Sequence, residues 1–190
     1  MFTRRAHELI LACLVASLGA AACGRSGRPA LTRTAEGGSY ADGRISFTVP
    51  PVPASWREIE VAHATLGFRD DDGRASILIN ARCRPLDHDT PLVALTNHLL
   101  IGTTEREVSV QEVEPFDGRE ALHTEVLAKL DGVLLSFDLF VLKKDGCVYD
   151  FARVTPARTV ADPGAASFRA FVRGFHTGAG PRPAGLVGAP

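Results

Sequence analysis

From Asp42 to Val154 the chain alternates short apolar runs with Asp-Gly dipeptides, and within the runs apolar and polar residues tend to take turns. A period of two is the mark of a strand with one buried face. The dipeptides are Asp42-Gly43, Asp72-Gly73, Asp117-Gly118, Asp131-Gly132 and Asp145-Gly146. Asp-Gly suits tight hairpin turns because both positions accept a positive φ at little cost. The pattern predicts strands at Arg44 to Val49, Trp56 to Val61, Ala64 to Arg69, Ala75 to Cys83 and Glu107 to Val113. A three-strand meander follows, with strands at Arg119 to Leu130, Val133 to Leu142 and Cys147 to Val154. Hairpins of this kind build antiparallel sheet.

The alternation also assigns faces. In the first meander strand Leu122, Thr124, Val126, Ala128 and Leu130 share one side, while His123, Glu125 and Lys129 share the other, which is expected to be wet or polar. In the second, Val133, Leu135, Phe137, Leu139 and Val141 form one apolar side, yet Leu134, Phe140 and Leu142 make the other largely apolar too. A strand covered on both faces reads that way.

Two helices are available as covers. Thr90 is placed to cap one, with Pro91 at its first position and Leu92, Leu95 and Leu99 at helical spacing towards Ile101. Asp162 and Pro163 repeat the opening, and Phe168, Phe171, Val172 and Phe175 form a stripe at i, i+3, i+4 and i+7, the spacing of a core-facing helix. The fold class is therefore α+β, a curved antiparallel sheet of six or more strands packed by helices.

Ahead of this domain the pattern changes. Arg4 and Arg5 precede a 14-residue apolar run, Leu9 to Ala22, that ends in small residues directly before Cys23. Basic, apolar, small is the layout of a secretory signal, and the run is short of the ~20 residues a spanning helix needs. The cysteine that closes it resembles the lipidation site of a bacterial lipoprotein. Ordinary secretion after Ala20-Ala21-Ala22 is the alternative. Gly24 in place of Asp favours the outer over the inner membrane, in a cell-envelope protein facing the periplasm.

The resulting division is 1–22 signal, 23–43 lipidated cysteine and flexible Gly, Ser and Arg-rich tether, 44–176 a single domain, and 177–190 a disordered Gly and Pro-rich tail. Removing Arg4, Arg5 and Glu8 with the signal takes 21 basic and 22 acidic side chains to 19 and 21, a net charge of −2. That balance gives no electrostatic case for nucleic acid. Cys83 and Cys147 then remain. An exported location favours pairing them, which would contribute about 4 kcal/mol in the chain-entropy model. Two buried thiols are the alternative.

The order of elements, with Phe47-Thr48-Val49-Pro50, Trp56, Gly118 before the meander, Cys147-Val148-Tyr149-Asp150-Phe151 and a closing Phe-rich helix, resembles the PsbP-like and DcrB-like α/β/α sandwich proteins. The resemblance spans about residues 44–176. It implies a small exported or lipid-anchored domain that acts by binding, as an accessory or assembly factor, with no catalytic residues to carry over.

Few polar residues on this frame are spaced for chemistry. Asp70, Asp71 and Asp72 read as a solvated hairpin tip, lacking the alternating ligands and distal Glu of a calcium loop. Asp87, His88 and Asp89 offer a single imidazole where zinc takes three or four ligands. His63, His98 and His123 stand singly, His123 beside Glu125. Asp138 and Asp150 interrupt apolar strands and are expected at the surface; if buried they need partners such as Arg153 or Arg169. No nucleophile elbow, zinc-protease helix or phosphate loop occurs. The reading is a lipid-anchored envelope protein that binds a protein partner without catalysis, cofactor or metal. The alternative is an envelope hydrolase or metal-dependent enzyme using His88 with Asp87 and Asp89, or His123.

Overall fold

A computed structural model describes residues 31–87, 89–157 and 162–178. Its strands are β1 (Thr32–Thr34), β2 (Gly37–Ala41), β3 (Ser46–Val49), β4 (Trp56–Glu58), β5 (Leu66–Asp70) and β6 (Ala75–Arg82). A 3-10 turn at Pro85–Asp87 leads to α1 (Leu92–Leu99). Then come β7 (Thr103–Phe116), β8 (Arg119–Leu130), β9 (Val133–Lys144), β10 (Cys147–Pro156), α2 (Pro163–Arg173) and β11 (His176–Thr177). A seven-stranded antiparallel sheet runs β4-β5-β6-β10-β9-β8-β7, and a four-stranded one runs β1-β2-β3-β11.

The Asp-Gly turns set the register. Asp117, Gly118, Asp131, Gly132, Asp145 and Gly146 all have φ between 47° and 79°, so each pair turns in the sense that matches strand twist. Phe116 consequently faces Arg119, Leu130 faces Val133, and Cys147 faces Lys144. β7 departs from this only near the far end, where irregularities fall between Thr104 and Glu107 and between Val108 and Val110. Such bulges on an edge strand hinder its pairing with another chain.

Each face of the large sheet has its own cover. On one, Leu95 of α1 packs with Val141 and Val148, and Leu100 joins Val126, Ala128, Phe137 and Leu139. On the other, Phe168, Phe171, Val172 and Phe175 belong to a cluster with Phe68, Ile77, Phe140, Phe151 and Trp56. Burying each such side chain contributes ~1.5–3 kcal/mol, which is why the aromatic stripe docks α2. The small sheet joins this second layer through Phe47, which contacts Tyr149 edge-on and Phe175 at a centroid distance of 5.1 Å.

Several expectations change. Residues 31–41, read as tether, contain β1 and β2, and β2 pairs with β3 through Tyr40 and Phe47. Tyr40 stacks on Phe47 at 4.9 Å, an apolar contact that low-hydropathy surroundings conceal in the sequence. Thr177, assigned to the tail, lies in β11. α1 takes Pro91 as its N-cap with no side-chain cap hydrogen bond, so Thr90 is not its cap. The second face of β8 is not wet along its length: Ala121 and His123 are buried because α2 and Phe140 cover them. Asp138 and Asp150 are likewise buried, 7% and 2% exposed, and both have arginine partners. Asp70, placed at the hairpin tip, is 2% exposed and accepts from the Gly73 amide at 3.0 Å. The signal at 1–22, Cys23 and residues 179–190 lie outside the described residues.

Candidate functional site

Four polar clusters sit between the elements, and their chemistry differs. The first lies under α2 on β7, β8 and β9. Two-residue turns place Glu112 opposite His123 and Glu125 opposite Asp138. His123 stacks on Phe140 with ring centroids 4.3 Å apart. Its Nε2 lies 2.9 Å from Asp138 Oδ1 and 3.7 Å from Glu125 Oε1, and its Nδ1 lies 3.7 Å from Glu112 Oε1. Arg169, from α2, donates to Asp138 Oδ2 at 3.2 Å and also pairs with Glu125. Burial works against the charged imidazolium, but the hydrogen bond and charge of Asp138 outweigh it and hold the His123 pKa above its ordinary value.

The second cluster is on the α1 face. Arg82 donates to Asp87 at 3.2 Å and pairs with Asp150. Burial raises the pKa of Asp150 against the opposing charge and hydrogen bond of Arg82. Asp150 Oδ1 and Oδ1 of Asn80, its cross-strand neighbour, are buried without a hydrogen-bond partner among the described residues. The third ties α2 down: Arg153, 2% exposed, donates to both oxygens of Asp162 at 2.6 and 2.8 Å. Asp162 in turn accepts from the Gly164 amide at the helix start. In the fourth, Asp117 takes Lys144 Nζ at 2.8 Å, the Thr177 amide at 2.9 Å and His176 Nδ1 at 3.0 Å. Burial of Asp117 is overcome by those donors, and its pKa falls to about 2.

Cys83 and Cys147 form a disulfide with Cα atoms 4.1 Å apart, closing β6 onto β10. Beside it is a cleft of about 130 Å³ lined by Asp87, Arg119, Lys143, Lys144 and Cys147 among others. A shallower depression against Leu92, Gly118 and Arg119 adjoins it.

The structure thus separates the residues singled out in the sequence. Asp87 is held by Arg82, Asp89 is exposed, and His88 lies outside the described residues. Asp71 and Asp72 are exposed at their turn. His123 and Asp138 are brought together with other ligand-type groups, and Glu112 and Glu114, which join His123 from β7, were not singled out. Counting outward from the Asp-Gly turns would have found them, since strand register follows from turn length. Apart from these clusters, the β7–β9 region exposes apolar side chains: Val108, Val113, Leu127, Val133 and Leu134.

No family model matches the chain, and no curated protein matches it. Solved structures do. The solution structure of cyanobacterial PsbP (CyanoP) from Synechocystis sp. PCC 6803 aligns over 84% of this chain and 98% of its own, at 20% identity and a TM-score of 0.51. The Ran-binding protein Mog1p of Saccharomyces cerevisiae aligns over 68% and 89%, at 14% identity and a TM-score of 0.49. LpqN of Mycobacterium tuberculosis, described as involved in cell envelope biogenesis, aligns over 70% and 84%, at 17% identity and a TM-score of 0.44. The likeness to CyanoP supports the architecture seen here, in which helices and a small sheet are layered on a long antiparallel sheet. The protein has the PsbP-like α/β/α sandwich fold.

Proposed function

We propose that this chain is a lipid-anchored protein of the bacterial cell envelope that works by binding a protein partner, as an accessory or assembly factor without catalysis. The observation that carries the reading is how the two kinds of side chain are distributed. Buried charged groups are spent on ties between elements: Arg153 to Asp162, Arg82 to Asp150, Arg169 to Asp138 and Lys144 to Asp117. Apolar side chains meanwhile stand in water on the β7–β9 region, Val108 52%, Val113 56%, Val133 57% and Leu134 45% exposed. Exposed apolar groups on a rigid sheet are what a protein contact uses.

The N-terminal pattern ending in Cys23 supports the anchor, and the net charge of −2 after processing supports a protein rather than a nucleic-acid partner. No helix among the described residues is long and apolar enough to cross a membrane, so in this reading the lipid supplies the attachment. More than one acyl chain is needed for stable anchoring.

A photo-crosslinking residue placed in cells at Val113 or Val133, and for comparison at Arg57 on the opposite edge strand, tests the reading. A discrete adduct from the β7–β9 positions, absent from Arg57 and weakened by Cys23→Ala, is the expected result. Equal labelling at all three positions would overturn it.

A further inference from the structure

His123 is aimed at two carboxylates that do not hydrogen-bond it. Strands alternate their side chains, so Glu112 and Glu114 of β7 project on the same side as His123, which Glu112 faces directly across the ladder. Glu114 stands opposite Ala121, and its Oε2 lies 4.0 Å from Nη2 of the exposed Arg173, too long for a hydrogen bond. One ligand atom from each of Glu112, Glu114 and His123 lies within 4.8 Å of the others.

The two ring nitrogens have different tasks. Nε2 is held by Asp138 at 2.9 Å, and Asp138 is held in turn by Arg169. A carboxylate at that nitrogen fixes the N–H there, so the neutral ring carries its lone pair on Nδ1, and a metal binding there displaces the proton that the imidazolium would hold. Nδ1 has no hydrogen bond among the described residues, and Glu112 Oε1 stands 3.7 Å away. The imidazole is 5% exposed, so its orientation is set by packing against Phe140. An imidazole oriented by a carboxylate at one nitrogen, with further ligands gathered at the other, is how proteins hold metal-binding histidines.

We propose that Glu112, Glu114 and Nδ1 of His123 bind a divalent transition-metal ion, with Asp138 orienting the imidazole. The neighbouring set of His123, Glu125 and Asp138 is closed to a metal because the Arg169 guanidinium already engages both carboxylates. The proposed set opens to solvent, since the Glu112 side chain is 64% exposed. One imidazole and two carboxylates suit zinc and its first-row neighbours better than calcium, which takes oxygen ligands throughout. Three protein ligands leave a coordination position for water or for a donor from another molecule. The site ties edge strand β7 to β8 and stands independently of the anchoring and binding reading, because it needs only the folded domain.

The test is a zinc chloride titration of the full chain carrying Cys23→Ser, made without a polyhistidine tag and kept in detergent micelles. Nitrogen-15 spectra of the imidazoles report which nitrogen of which histidine responds. The expected result is a perturbation centred on His123 Nδ1 that saturates at one equivalent. The doubly substituted Glu112→Gln, Glu114→Gln chain should weaken it at least tenfold while melting at the same temperature without zinc. The proposal is overturned if the His123 signals stay unmoved, or if the double variant binds zinc as the parent does.

Discussion

Arg153 meets Asp162 through two parallel hydrogen bonds, 2.6 and 2.8 Å long, that fasten the start of α2 to the end of β10. The guanidinium is almost wholly buried while the carboxylate keeps 20% of its exposure. The pair therefore fixes where the aromatic face of α2 lands.

Removing the carboxylate leaves a buried arginine without its counter-charge, which costs about 3–5 kcal/mol. Asp162→Ala should show that loss in chemical denaturation. Asp162→Asn keeps an acceptor for the Gly164 amide and should recover about 1 kcal/mol of it, the usual worth of an N-cap. Equal stability of the two variants would count against the capping part of this account.

Gly164 is the second residue of α2, where alanine would ordinarily be welcome. Here a Cβ would come within 2.6 Å of Arg153 Nη2 and 2.8 Å of Asp70 Oδ2. Gly164→Ala is expected to destabilise by about 1–3 kcal/mol, the range for forcing extra volume into a packed site. A raised melting temperature would contradict the close approach.

Asp117 gives the fold an acid limit. Its pKa is about 2 when folded against an ordinary 3.8, so the carboxylate stabilises the fold above pH 3.8 and loses that contribution as pH falls through 2. Asp117→Asn should be less stable than the parent at pH 6 by about 1–2 kcal/mol in chemical denaturation, after allowing for its partial contact with solvent. The difference should shrink from pH 4 downward and close below pH 2. A gap of constant size across this range would show that charge is not the cause.

The Cys83–Cys147 bridge closes a loop of 64 residues. Reduction should lower stability by about 2–4 kcal/mol, read as a fall in melting temperature on adding a thiol reductant. Cys83→Ser should melt at the reduced value and no longer respond to the reductant; a continued response would point to another thiol.

Much of the fold could be read from the sequence because its turns are local. Asp117-Gly118, Asp131-Gly132 and Asp145-Gly146 each fix a hairpin with a positive φ at both residues, and the Phe168 to Phe175 stripe needs only helical spacing to be seen. β1 and β2 were missed because Gly37, Gly38 and Ser39 carry no alternation, and their strand is held by Tyr40 on Phe47 and by pairing with β3. Asp138 and Asp150 look like surface residues because burial depends on arginines distant in sequence, Arg169 and Arg82. The His123 group was legible in principle through register alone. Its residues lie on three strands, so inspection of neighbours along the chain finds only Glu125.

In the proposed function Cys23 carries lipid and holds the domain at a membrane. An intact mass of the chain extracted from membranes tests it most directly. The account expects a protein that begins at Cys23 and bears diacylglycerol on its thiol, with Cys23→Ala recovered from the soluble fraction or with its signal uncleaved. A chain that begins at residue 23 or beyond with no added lipid would contradict it.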